Sequence, residues 1–168
     1  CGLTGPVKDV ADYELDLKDD DHWARFESFA FTKTSPDAIG ARGQGKFVFL
    51  AGSNKAMMFY DSLRLDGTYR LGATQATRTD CPMLHWDGRE AEIKLMDEIG
   101  IKPLQTFGTR IIIVDPKDEL VEELRNGSFE RAIEETWVRA IEKGKAEIRI
   151  KVGSLEKVVS APKPYPMP

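Results

Sequence analysis

At 168 residues, 41% hydrophobic and 31% charged, the chain has the size and composition of one soluble globular domain able to bury a core. Its net charge of −4 argues against a general nucleic-acid surface. No apolar run reaches the length of a membrane span, no stretch reads as a signal peptide, and the two cysteines, Cys1 and Cys81, supply neither a disulfide framework nor a zinc site, so a reducing cytoplasm is the expected compartment.

The chain opens with Cys1-Gly2-Leu3-Thr4-Gly5, followed by an acidic run containing Asp9, Asp12, Glu14, Asp16 and Asp19 to Asp21. That run reads as a solvated segment ahead of a helix. Asp21 is placed to cap a helix whose Trp23, Phe26 and Phe29 recur at helical spacing, as core residues do. Thr32 to Asp37 is polar and turn-like.

Residues 39–49, Ile-Gly-Ala-Arg-Gly-Gln-Gly-Lys-Phe-Val-Phe, carry the strongest chemical signal. Gly40, Gly43 and Gly45 precede Lys46 and run into an apolar stretch that reads as a helix. Glycine permits positive φ and lets backbone amides approach an anion with no Cβ between them. A helix starting just after the loop would point its unpaired N–H groups at a phosphate. The competing reading is a glycine-rich turn between two elements. Gly40 to Lys46 fits the Walker A pattern as far as its lysine, but Phe47 stands where the magnesium-holding hydroxyl belongs, and no buried strand precedes the loop.

Beyond the loop, residues 56–74 predict a hairpin with its turn at Asp66-Gly67. Residues 75–90 read as irregular, Ala91 to Met96 as a strand, and Ile111 to Val114 as a central strand buried on both faces. Asp115-Pro116 opens a helix carrying Leu120, Val121 and Leu124 on one face, which Asn126-Gly127 ends. Ser128 is the expected cap of the next helix, with a stripe of Phe129, Ala132, Ile133, Trp137, Ala140 and Ile141. Gly144 stops it, and Lys145 to Val152 alternates as a strand does. The expected organisation is a single α+β domain over residues 1–160, with a mixed or mostly antiparallel sheet covered by helices, and a Pro-rich tail at 161–168.

The glycine box and a later Phe107-Gly108-Thr109-Arg110-Ile111 together resemble the GHKL ATPases, the family of gyrase B, the ninety-kilodalton heat-shock chaperones, histidine kinases and mismatch-repair MutL proteins. In that family a flexible ATP lid ends in a G-x-G-x-G-like box followed by a helix. A Gly-Thr pair then opens a late core strand with its threonine near the adenine. The resemblance covers about residues 1–114 and extends toward the helices beyond. It implies a Bergerat-type ATP-binding domain using ATP and Mg, with Gly40, Gly43, Gly45 and Lys46 on the triphosphate. Arg42 and Gln44 would face the γ-phosphate or the lid, and Thr109 would sit near the base.

The chain also departs from the pattern. No segment before residue 23 supplies the family's helix with a catalytic acid and a magnesium-binding Asn. Cys1 to Gly5 reads either as the tail of the D-x-G-x-G box, with the aspartate upstream of Cys1, or as an ordinary N-terminal coil. Under the resemblance the partners are ATP and the N-terminal part of the same domain, and a homodimer is open to it. These 168 residues alone are then expected to fold, to bind ATP weakly and not to hydrolyse it. Two rivals remain at this point. One is a non-catalytic interaction or regulatory domain with a structural glycine turn, and the other is an unrelated enzyme using His85 and Cys81.

Overall fold

The computed structural model describes residues 22–27, 47–77 and 81–160. The chain divides between Pro116 and Lys117 into two compact units. The fold is α+β. The first unit contains a four-stranded, wholly antiparallel sheet, in the order β3-β2-β1-β4. Its strands are β1 (Met57–Leu63), β2 (Tyr69–Gln75), β3 (Met83–Asp87) and β4 (Gly108–Ile113).

Strand alternation gives this sheet two faces with separate cores. On one face Met58 and Tyr60 of β1 pack with Trp23 of helix α1 (His22–Glu27) and Leu50 of helix α2 (Phe47–Ala51). On the other, Tyr69 and Leu71 of β2 pack with Ala91 and Leu95. Ala91 belongs to helix α3 (Gly88–Lys94), which continues as one wider π-helical turn, Leu95–Ile99. The helix foreseen after the glycine box is therefore α2, and the hairpin foreseen at 56–74 is β1-β2. Asp66 tightens that turn by accepting the Thr68 N–H at 2.9 Å.

Ala91 to Met96 is helical, not a strand. Its apolar residues satisfy both periods: 91, 93 and 95 alternate, while 91, 95 and 99 keep helical spacing. Helix prevails because Glu90, Ala91, Glu92, Lys94, Leu95 and Met96 are strong helix formers, and because Ala91 and Leu95 are fully buried while Ile93 is exposed. Residues 83–87 form an edge strand where an irregular stretch was expected. Ile111 to Ile113 belongs to an edge strand, not a central one. The apolar run remains because both faces of β4 are covered, Ile111 meeting the Tyr60 cluster and Ile112 the Tyr69 cluster.

In the second unit, α4 (Asp118–Asn126) and α5 (Ser128–Glu142) precede a two-stranded hairpin, β5 (Arg149–Val152) with β6 (Leu155–Val158). Asp118 and Glu119 place negative charge in the first turn of α4, where the helix dipole favours it. The cap of α5 is Gly127, not Ser128. The Ser128 N–H is instead accepted by Asn126 Oδ1 at 2.9 Å, so the backbone donor is already satisfied from upstream. The alternation foreseen over 145–152 forms a strand only from Arg149. Phe29 and Asp21, the acidic run and the 161–168 tail lie outside the described residues.

Gly72 of β2 lies against the ring of Tyr60, where an added Cβ would come within 2.2 Å of Tyr60 Cε2. That ring is held by its hydroxyl, which donates to the buried Glu27 Oε1 at 2.8 Å. Gly72→Ala must push the ring off this bond. We expect a loss of about 3 kcal/mol in stability by urea denaturation. A loss under about 0.5 kcal/mol, the usual range for a surface change, would mean the ring is not held as described.

Candidate functional site

Of the residues expected to hold ATP, Gly40, Arg42, Gly43, Gln44, Gly45 and Lys46 lie outside the described residues. The seventh, Thr109, stands exposed as the second residue of β4, beside Gly108. Gly108 has φ +157°, a conformation that side-chain-bearing residues rarely adopt, so glycine is required there.

Register decides which way Thr109 faces. It pairs with Ser62, as Ile111 pairs with Tyr60 and Ile113 with Met58. All six therefore share the face that carries α1 and α2. The helix that begins one residue after Lys46 and the threonine of the Gly-Thr pair thus lie on one side of one sheet. With five residues, α2 is too short to contribute a sizeable macrodipole, so a phosphate bound before it would depend on loop amides and Lys46.

Ser62 is fully buried, and its Oγ lies 3.2 Å from the Gly108 carbonyl oxygen and 3.3 Å from Thr109 Oγ1. Sequence reading missed Ser62. A single serine inside a strand carries no signal until its cross-strand partner is known.

Further along the same face, Phe26, Glu27, Leu50, Tyr60 and Cys81 line a pocket with about 10 Å³ of free space. That admits at most one water, so it is no nucleotide pocket. Cys81 Sγ sits 3.2 Å from Thr74 Oγ1, a half-buried packing position. His85 is exposed on β3. Neither residue is bonded to the other in the way that a nucleophile and its base would be. Among the described residues no three of His, Cys, Asp or Glu are grouped to hold a metal.

The opposite face carries a polar cluster of a different kind. Asp61 of β1 is completely buried, and Arg110 of β4 grips it with two bonds, Nε to Oδ1 at 3.0 Å and Nη2 to Oδ2 at 2.6 Å. Tyr69 of β2 donates its hydroxyl to Asp61 Oδ2, and Arg110 Nη2 also donates to the Lys102 carbonyl at 2.9 Å. Burial, then the bond to Asp61 and its charge, hold the Tyr69 hydroxyl far above the usual tyrosine range. Asp61 likewise raises the pKa of Arg110, mainly through their hydrogen bond. Every member is satisfied by another, which is the arrangement of a structural network.

A comparison with known protein families, curated proteins and solved structures found no match to this chain. Among the described residues no helix is long and apolar enough to cross a membrane.

Two outcomes follow for the Asp61 cluster. Asp61→Asn leaves the guanidinium of Arg110 against a neutral amide, and we expect a loss of about 3–5 kcal/mol in chemical denaturation. The Tyr69 shift makes stability depend on pH. The unfolded tyrosine ionises near about pH 10, whereas the folded one keeps its proton to higher pH. Its contribution is complete below that pH and is lost as pH rises toward the folded value. The stability gap between wild type and Tyr69→Phe should therefore narrow above about pH 10. Parallel curves from neutral to alkaline pH would contradict the buried, Asp61-bonded hydroxyl.

Proposed function

We propose that this chain is an ATP-binding domain of the GHKL kind. In it the amides of residues 43–46 hold the triphosphate, Lys46 adds positive charge, and Thr109 lies at the base. The observation that carries this reading is the shared sheet face: the helix following the glycine box and the Thr109 hydroxyl are brought to the same side of β1 and β4. The helix that follows the one sequence feature and the threonine of the other, more than sixty residues apart, thus share a sheet face, which supports reading them together.

The division of labour follows from the residue types. Glycine amides suit an anion because they are donors with no side chain in front of them. Lysine supplies a compact, mobile charge for a phosphate oxygen. An exposed threonine hydroxyl at the start of a rigid strand suits the edge of a base, which needs few but well-placed polar contacts. When bound, magnesium would neutralise part of the triphosphate charge. Arg42 and Gln44 flank the glycines and would reach the γ-phosphate or the lid.

The test is calorimetry and thermal shift with a non-hydrolysable ATP analogue and magnesium at millimolar concentration. A ligand that binds only the folded chain must raise its melting temperature. Lys46→Ala should weaken binding with little change in stability, since removing one lysine charge usually costs a fold little. Gly45→Val should weaken it more, because its Cβ obstructs both loop backbone and phosphate. An interaction domain with a structural turn predicts no nucleotide shift. That result, or unchanged affinity in both variants, would overturn the ATP reading.

A further inference from the structure

The four-stranded sheet has β3 as one of its two edges. Which backbone groups of that edge point outward follows from the ladder. The Arg64 N–H donates to the Thr68 carbonyl at 3.0 Å, and the Ala76 N–H to the Ala56 carbonyl at 2.9 Å. Even-numbered residues of β2 therefore turn their N–H and C=O toward β1, while Leu71 and Ala73 turn theirs toward β3. Their register partners, Trp86 and Leu84, bond inward, so Met83, His85 and Asp87 direct both backbone groups away from the sheet. No described residue pairs with that side. Sheets ordinarily blunt such an edge with lysine, proline or a bulge. β3 has none of these: it reads Met-Leu-His-Trp-Asp, its register with β2 is unbroken, and Leu84 is 57% exposed. On β4, the opposite edge, Thr109 is the one exposed residue.

We propose that β3 is a docking edge that pairs antiparallel with β3 of a second copy of this chain, about a two-fold axis at His85. The edge is complementary to itself. With the axis there, His85 stands opposite the partner's His85 and Met83 opposite the partner's Asp87. The three outward residues thus meet the same three, and each outward N–H finds a carbonyl. Leu84 comes opposite the partner's Trp86, so the exposed leucine gains an aromatic cross-strand neighbour, once from each side of the axis. Polar groups agree as well. Asp87 gives Oδ1 to Arg70 and keeps Oδ2, which lies on the diagonal from the partner's His85 and accepts its ring N–H. Any extended segment would satisfy the backbone, whereas a second copy also supplies the leucine–tryptophan pairs and the diagonals. Five residues from each copy make a small interface, so the dimer is weak and concentration-dependent. This inference does not depend on the ATP reading.

Sedimentation velocity of the full chain, over an about hundredfold concentration range reaching the millimolar region of weak association, should show a monomer passing into a dimer. Amide exchange followed by NMR locates the contact. The Met83 and His85 N–H groups should gain protection as the dimer forms, while Leu84 and Trp86, already bonded within the monomer, should change little. His85→Pro removes an N–H that the monomer does not use, at an edge position where proline is tolerated. It deletes two bonds per dimer and should raise the dimer Kd about tenfold or more, with the melting temperature unchanged where wild type is monomeric. Leu84→Lys sets a charge opposite the partner's Trp86, whose ring already carries Lys94, and should weaken the dimer similarly; it covers the case in which the proline variant folds badly. Four results would each overturn the pairing: a monomer at every concentration, an assembly that grows past the dimer, a dimer whose His85 N–H stays unprotected, or a Kd unchanged in both variants.

Discussion

The buried carboxylate of Asp61 is the constraint on which the first unit depends. A carboxylate at zero exposure costs several kcal/mol unless its lone pairs are filled, and here three bonds from two neighbouring strands fill them. Tyr69 comes from β2, Arg110 from β4, and Arg110 ties in the 100–107 connection through Lys102. The pairing is bidentate, so it specifies geometry as well as charge. Only one register of β4 on β1 sets Arg110 directly opposite Asp61. A slip by one residue would leave the carboxylate unpaired and turn every β4 side chain to the wrong face. The polar lock on one side of the sheet therefore dictates what stands on the other: with Arg110 opposite Asp61, Thr109 must stand opposite Ser62.

What could be read from the sequence was whatever depends on local chemistry. Asp66-Gly67 predicts its turn because an Asp carboxylate and a glycine at positive φ make one without help from elsewhere. The apolar stripes of α4 and α5 are likewise local, and so is the Gly-Thr pair, whose glycine occupies a backbone conformation that other residues avoid. The misreadings arose where partners decide. Ala91 to Leu95 carries two periods at once, and helix propensity together with the packing of Ala91 and Leu95 on Tyr69 and Leu71 chooses between them. Met83 to Asp87 becomes a strand because β2 offers it a free edge, not because of its own composition. Three isoleucines read as a central strand since two-sided burial looks the same in sequence whether it lies mid-sheet or at an edge under two helical layers.

The candidate site shows the same division. The glycines and Lys46 stand out as a motif because residue type and spacing are local features, legible without any partner. Ser62 has no such signature. It comes to stand beside Gly108 and Thr109 only through the register of β4 on β1. Asp61 and Arg110 are invisible in the sequence for the same reason, being forty-nine residues apart.

Under the proposed ATP reading, Thr109 would be useful only if the phosphate-binding end were held at a fixed distance from it, since loosely coupled contacts lose affinity to ordering entropy. Ser53 supplies that coupling. It lies just past α2, its hydroxyl donates to the Val114 carbonyl beyond the end of β4, and the same oxygen accepts the N–H groups of Lys55 and Met57, leading into β1. Asn54 adds a backbone bond to Asp115 at 2.8 Å. From inside, Leu50 anchors α2 against Met58 and Tyr60. The helix after the glycine box is thus fastened to the same two strands that carry Ser62 and Thr109. With the backbone fastened at Leu50, Ser53 and Asn54, the start of α2 is tied to the two strands of which β4 carries Thr109, which is the coupling that the proposed ATP reading would require.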